Sequence, residues 1–176
     1  GMSFAHPGHE DVSSFMSGLS HPLGGFDHLL AMLAIGLWAS SMGGRALWAV
    51  PAAFVLAMLI GGSLAVAGLN APFVEQGILL SVIVLGVLVL GAKRLPVLAC
   101  MIIAGGFAVF HGAAHGSEMP MNANSVEYAL GFVFATTGLH ILGLGLGQLM
   151  TGFASPLMMR ISGLMIAVAG LFLSVA

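Results

Sequence analysis

Long apolar stretches dominate this chain, and only short polar segments separate them. Of its 176 residues, 59% are hydrophobic and 6% are charged, whereas about 25% of the residues in a soluble domain are charged. A transmembrane helix needs about 20 apolar residues, so the length allows about six or seven spans. The chain is therefore predicted to be an all-α integral membrane protein, with no room for a soluble catalytic domain.

The breaks between the apolar stretches predict the helix boundaries, because glycine and proline end or kink helices. Six spans are expected, over residues 26–42, 46–67, 74–92, 97–114, 126–150 and 156–175. Ahead of them, residues 12–19 are expected to form a short surface helix or a seventh, re-entrant segment. Pro22 and Gly24-Gly25 are expected to separate it from the first span. Residues 1–11 form an N-terminal tail, and residues 12–176 form one transmembrane domain.

The charged residues predict the orientation of the bundle, because Lys and Arg collect in cytoplasmic loops. If the N-terminus lies outside, all basic residues fall at the inner ends of the spans and all acidic residues fall at or near the outer ends. The basic residues are Arg45, Lys93, Arg94 and Arg160, and the acidic ones are Glu10, Asp11, Asp27, Glu75, Glu118 and Glu127. This sorting predicts that both termini lie outside.

The first residues have the pattern that ends a cleaved signal peptide. Ser3-Phe4-Ala5 has the small-x-small form that precedes a cleavage point. Gly1-Met2 is then a remnant of an expression tag, and the mature chain is expected to begin at His6 on the extracytoplasmic side. His6 and His9 either capture metal there or belong to a flexible polar terminus.

Two histidines and a carboxylate lie where the first span begins: His21, Asp27 and His28. A charge near the bilayer centre costs roughly 2.5–3.5 kcal/mol, so ionisable residues in a span indicate a function. Imidazole and carboxylate groups together bind borderline divalent metals such as nickel and zinc. Asp27 and His28 point about 100° apart on a helix. We therefore expect only one of them to bind the ion, and the other to hydrogen-bond a ligand's ring.

A second set of candidate ligands ends the fourth span. His111 and His115 are four residues apart, which places both rings on one helix face about 6 Å apart. Glu118 continues that face if the helix persists. Pairing between the two histidines is the structural alternative. On the predicted topology the candidate ligands gather at one depth near the outer surface: His21, Asp27, His28, Glu75, His111, His115 and Glu118.

Three further residues have two interpretations each. Glu75 and Glu127 are acidic metal ligands, or first-turn carboxylates that the helix dipole stabilises. His140, alone in the middle of the fifth span, is a metal ligand, or a histidine that bonds to a neighbouring helix.

Glycine is abundant, at 26 residues. Patterns such as Gly112-x-x-x-Gly116 and Gly143-x-Gly145-x-Gly147 let helix backbones approach closely, and packing is the expected role of nearly all the glycines. A transported ion would also need a path between the spans, and glycines are expected to line it.

Two motifs carry a family resemblance. His21-Pro22-Leu23-Gly24-Gly25-Phe26-Asp27-His28 and Phe110-His111-Gly112-Ala113-Ala114-His115-Gly116-Ser117-Glu118 resemble the HupE/UreJ family, and the likeness covers essentially the whole chain. Members are small bacterial inner-membrane proteins associated with hydrogenase or urease, and they are regarded as permeases for nickel or, in some cases, cobalt. The resemblance implies site roles for His21, Asp27, His28, His115 and Glu118, with Glu75 as the acidic partner. The first motif is also similar to the His-x4-Asp-His signature of the wider nickel/cobalt transporters, but five residues separate His21 from Asp27 here.

These observations predict a secondary permease that imports nickel or cobalt, with zinc and copper as further candidate ions. The ion enters from outside and exchanges its water for His, Asp and Glu ligands. Two charges that cross a potential of about 100 mV gain roughly 4.6 kcal/mol, which suffices to drive import. The chain is not expected to be an enzyme or to hold a permanent cofactor. It has no Gly-x-x-x-x-Gly-Lys-Ser/Thr loop for ATP hydrolysis.

Other function classes use the same residue types. An intramembrane enzyme or redox protein would hold zinc with an activated water, or haem through axial histidines. A metal sensor or chaperone would bind the ion without flux. The expected partners are a divalent metal ion, the lipid bilayer and, through the resemblance, hydrogenase or urease maturation. Nucleic acid is not an expected partner, because the four basic residues form no patch.

Overall fold

Apolar helices make up almost all of the chain as the computed structural model describes it, which is residues 13–153 and 156–176 without the side chain of Phe153. The predicted tail, with His6 and His9, lies outside the described residues. Those residues form helices and no strands: α1 Ser14–Gly24, α2 Phe26–Met42, α3 Ala46–Val66, α4 Val74–Gly91, α5 Val97–Glu118, α6 Ser125–Phe153 and α7 Pro156–Val175. The prediction of an all-α membrane protein is confirmed.

The helices α3 to α7 are each long and apolar enough to cross a membrane. The helices α1 and α2 meet that condition only as a pair, and their axes differ by 84°. The described chain therefore has five candidate spans, or six if the bent pair counts as one. The predicted limits of α2 and α7 agree with the structure, whereas α5 continues to Glu118 instead of ending at residue 114.

The prediction for the first helix was wrong in its limits. The helix was expected over residues 12–19, with Pro22 and Gly24-Gly25 separating it from the first span. Instead, α1 runs from Ser14 to Gly24 and includes Pro22. Proline removes only one helix hydrogen bond, to the carbonyl four residues earlier, and its fixed φ suits a helix. The chain bends instead at Gly25, whose backbone is extended.

The helix α2 lies at the centre of the bundle. Of its 17 residues, 11 are buried, and it packs against α3, α4, α6 and α7. A helix that is apolar all round is expected to be buried in this way. The outward faces of the surrounding helices carry exposed apolar side chains such as Leu56, Ile102 and Phe134, as helices in contact with lipid do.

Glycines bring several helix pairs close together. A Cβ atom on Gly116 of α5 would lie 3.0 Å from the Cα atom of Gly62 in α3, and one on Gly143 of α6 would lie 3.0 Å from the Cα atom of Gly36 in α2. The predicted close packing is thus confirmed at these positions. Between Gly36 and Gly143, however, backbone atoms fill the space that a glycine-lined path would need.

The two ends of the bundle differ in charge. The acidic residues of the described chain lie at the end where α2, α4 and α6 begin, which we call the acidic end: Asp27, Glu75, Glu118 and Glu127. The basic residues lie at the opposite, basic end: Arg45, Lys93, Arg94 and Arg160. Arg160 Nε donates a hydrogen bond of 3.0 Å to the Leu90 carbonyl and ties α7 to the end of α4.

Candidate metal site

A cavity at the acidic end brings most of the predicted ligands together. Its volume is about 940 Å³, and residues of α1, α2, α4, α5 and α7 form its wall. The candidate ligands on this wall are His21, Asp27, His28, Glu75, His115 and Glu118. Its three carboxylates give the cavity a negative field that attracts cations.

Three of these residues converge on one point. His21 of α1 and His115 and Glu118 of α5 each offer a ligand atom, and the three atoms lie within 4.8 Å of one another. His21 Nε2 is 2.5 Å from Glu118 Oε2. We call these residues the outer triad. The extension of α5 to Glu118 is what places His115 and Glu118 on one face of that helix, because residues three apart are neighbours on its surface.

The outer triad lies at the boundary between solvent and the buried interior. The side chains of His21 and Glu118 are 34% and 56% exposed, whereas His115 is buried. A hydrated cation can therefore reach two of these residues from the cavity. To bind the third residue, the buried His115, the ion must lose part of its water shell.

Asp27 holds the ring of His28. Its Oδ1 atom lies 2.9 Å from His28 Nδ1 and also accepts the backbone N–H of His28 at 2.7 Å. Pairs of this kind fix the orientation and tautomer of metal-binding histidines. Of these two neighbours, Asp27 is the one that hydrogen-bonds a ring, and the ring is that of His28 itself.

His111 lies about 6 Å deeper than His115, one helical turn along α5. The candidate ligands therefore do not all lie at one depth. His111 is fully buried, and its Nε2 atom is 2.8 Å from Ser81 Oγ on α4. Ser81 was not among the site residues predicted from the sequence. A polar residue in an apolar span was the only signal, and it is a weak one because serine is common in such helices.

The histidine rings form a continuous row from the cavity inward. Their centroids are separated by 4.9 Å from His21 to His115, 4.3 Å from His115 to His28 and 4.8 Å from His28 to His111. Neither ring nitrogen of His115 has a hydrogen-bond partner among the described residues. His115 also borders a second cavity of about 220 Å³ between α3, α5 and α6.

The remaining candidates lie apart from this row. Glu75 is exposed in the first turn of α4 and lines the cavity. Glu127 is exposed in the first turn of α6, and it is not among the residues of the cavity wall. His140 is buried within α6, where its ring packs 5.2 Å from that of Phe54; the Phe54 ring in turn lies 5.6 Å from that of His111.

Comparison with known proteins decides the family. The family model described as HupE / UreJ protein matches residues 1–173. The chain belongs to the HupE/UreJ family. Protein HupE of Rhizobium leguminosarum bv. viciae is 44% identical to it over 163 residues, which cover 92% of this chain and 84% of that relative. No solved structure is significantly similar to the chain.

The HupE/UreJ assignment confirms the resemblance that the two motifs predicted. Both motifs, at residues 21–28 and 110–118, lie within the matched part of the chain. Every residue of the outer triad belongs to one of them, and the helices that carry them, α1, α2 and α5, meet at the acidic end. The protein is thus a multi-pass helical member of the HupE/UreJ family with a cluster of candidate metal ligands.

Proposed function

We propose that this HupE/UreJ protein is a secondary permease that imports nickel, with cobalt as the alternative, across the inner membrane of a bacterium. The observation that carries the proposal is the outer triad, because its two imidazoles and one carboxylate are a ligand set suited to nickel and cobalt. Family membership supports a nickel-related role as an accessory to hydrogenase or urease.

The proposed orientation places the acidic end outside and the basic end in the cytoplasm, because Lys and Arg residues are enriched in cytoplasmic loops. The negative field of Asp27, Glu75 and Glu118 then draws a hydrated dication into the cavity. The ion displaces the direct contact between His21 and Glu118 and binds to both side chains. It gains His115 as it loses further water, and the membrane potential favours its movement inward.

Uptake of radioactive nickel into vesicles that contain the purified protein tests this proposal. Glu118→Gln keeps the size of the side chain but removes its charge, and we expect it to lower the uptake rate at least tenfold. The matched control is Glu127→Gln, a second exposed carboxylate at the acidic end that lies outside the cavity wall. It should leave uptake unchanged.

Two results would contradict the permease. In the first, vesicles with the unsubstituted protein take up no nickel although the protein binds one equivalent, which would favour a sensor, a chaperone or an enzyme. In the second, Glu118→Gln and Glu127→Gln have the same effect, which would remove the outer triad from the transport path. Competition by unlabelled cobalt, zinc and copper ranks the candidate ions.

A further inference from the structure

The hydrogen bonds of Ser81 determine which nitrogen of His111 carries the proton. Ser81 Oγ is 2.6 Å from the Ile78 carbonyl and 2.8 Å from His111 Nε2. The carbonyl oxygen only accepts and makes the shorter contact, which favours donation of the single hydroxyl proton to Ile78. With that assignment the hydroxyl oxygen accepts from His111, and Nε2 of His111 bears the ring proton. The Nδ1 atom of His111 is left with its lone pair, and it is buried without a hydrogen-bond partner among the described residues.

Asp27 likewise determines which nitrogen of His28 carries the proton. A carboxylate oxygen also accepts only, so the contact of 2.9 Å requires the proton to be on His28 Nδ1. The Nε2 atom of His28 therefore carries a lone pair, and it too is buried without a hydrogen-bond partner in the described part of the chain. The two rings lie edge to face with centroids 4.8 Å apart.

Two buried, unprotonated ring nitrogens without hydrogen-bond partners are unfavourable for the stability of the folded protein. A buried acceptor without a donor lowers stability. The basic side chains of the described residues lie at the opposite end of the bundle and supply no donor here. A cation that binds imidazole would accept lone pairs of this kind.

We propose that His28 and His111 form a second, inner cation position, and that Asp27 and Ser81 act as positioning residues that keep its two lone pairs free. His115 is the ligand that the outer and inner positions share. The ion remains bound to His115 while it exchanges His21 and Glu118 for His28 and His111. The ring of His115 lies between the two positions, with its centroid 4.9 Å from that of His21 and 4.3 Å from that of His28.

The inference deepens the proposed function and rests on it for the identity of the transported ion. Its tests, however, use binding of metal alone and need no transport. If the inner position binds nickel but vesicles take up none, the permease fails and the inner position stands. If nickel is taken up and the substitutions below change nothing, the inner position fails and the permease stands.

The first test measures the tautomer of His111 without metal, from the nitrogen NMR signals of protein labelled at histidine. The signal of His111 is assigned by its loss in His111→Gln. We expect the unsubstituted protein to carry the His111 proton on Nε2, and Ser81→Ala to shift the population toward Nδ1. Ser41→Ala is the matched control, because Ser41 donates the same type of hydrogen bond, to the Trp38 carbonyl at 2.7 Å. It should leave His111 unchanged.

The second test measures nickel affinity after the outer position has been removed. The double variant His21→Ala/Glu118→Gln should still bind one equivalent of Ni²⁺ in a calorimetric titration, through His28, His111 and His115. Adding Ser81→Ala should weaken this binding roughly 10- to 100-fold, the usual effect of removing a partner that orients a metal ligand. Adding Ser41→Ala should not.

Several results would overturn the inference. The unsubstituted protein, whose folding is not in question, could show the His111 proton on Nδ1. The double variant could bind no nickel while the unsubstituted protein does. Ser81→Ala could give the same tautomer of His111 and the same nickel affinity as Ser41→Ala.

Discussion

Substitution of one glycine tests whether the packing of α3 against α5 holds the candidate ligands in place. A Cβ atom on Gly112 would lie 2.8 Å from the backbone nitrogen of Gly62 and closer still to the Met58 carbonyl, whereas ordinary contacts begin near 3.4 Å. Gly112→Ala therefore forces the two helices apart by about 0.6 Å or more. His115 lies three residues further along α5, within the same turn, and must move with it.

The size of the effect follows from the cost of overpacking. Forcing an extra methyl group into a packed interior costs about 1–3 kcal/mol. Metal–ligand distances tolerate deviations of only about 0.2 Å, so a shift of about 0.6 Å removes His115 from a bonding position. If metal binding must restore the strained arrangement, nickel affinity falls by roughly 5- to 150-fold, at about 1.4 kcal/mol per factor of ten. The melting temperature falls as well.

Gly106→Ala is the matched control for this substitution. It adds the same methyl group to the same helix, where no atom lies within 4 Å of the new Cβ. Alanine is also the better helix former, so the melting temperature should stay the same or rise. Calorimetric titration with Ni²⁺ and thermal unfolding in detergent compare the two variants. Equal losses in both, or no loss in Gly112→Ala, would refute the link between this interface and the ligands.

Two further predictions concern pH and orientation. Nickel binding should weaken as the pH falls, because only neutral imidazole binds a metal. Titrations that give equal nickel affinities at about pH 7.5 and about pH 5.5 would contradict histidine ligands. For orientation, a cysteine at Met121, which is fully exposed between α5 and α6, should react with an impermeant maleimide on intact cells when Cys100 is replaced by serine. A cysteine at Arg45 should react only after permeabilisation, and the reverse pattern would contradict the N-out topology.

Much of the fold follows from the distribution of apolar residues. The limits of α2 and α7 were predicted because glycine, proline and charged residues interrupt otherwise apolar runs, and a bilayer requires helices of nearly fixed length. The separation of acidic and basic residues to opposite ends was predicted as well, because consecutive spans run in opposite directions and their loops alternate between the two ends. The position of Pro22 inside α1 and the continuation of α5 to Glu118 could not be predicted in this way. Proline near a helix end and polar residues at a helix end are compatible with either helix or loop.

The family, the helical class and the residue types of the candidate site could be predicted from the amino-acid pattern, since histidine and carboxylate groups at the ends of apolar spans have few other uses. The arrangement of those groups, in contrast, depends on how the helices pack. The bend at Gly25 brings His21 against Glu118, Asp27 pairs with the ring of His28, and Ser81 meets His111 across two helices. These contacts depend on which helix faces touch and at what height, and no local pattern encodes either, because they result from the close approach of backbones along the whole bundle.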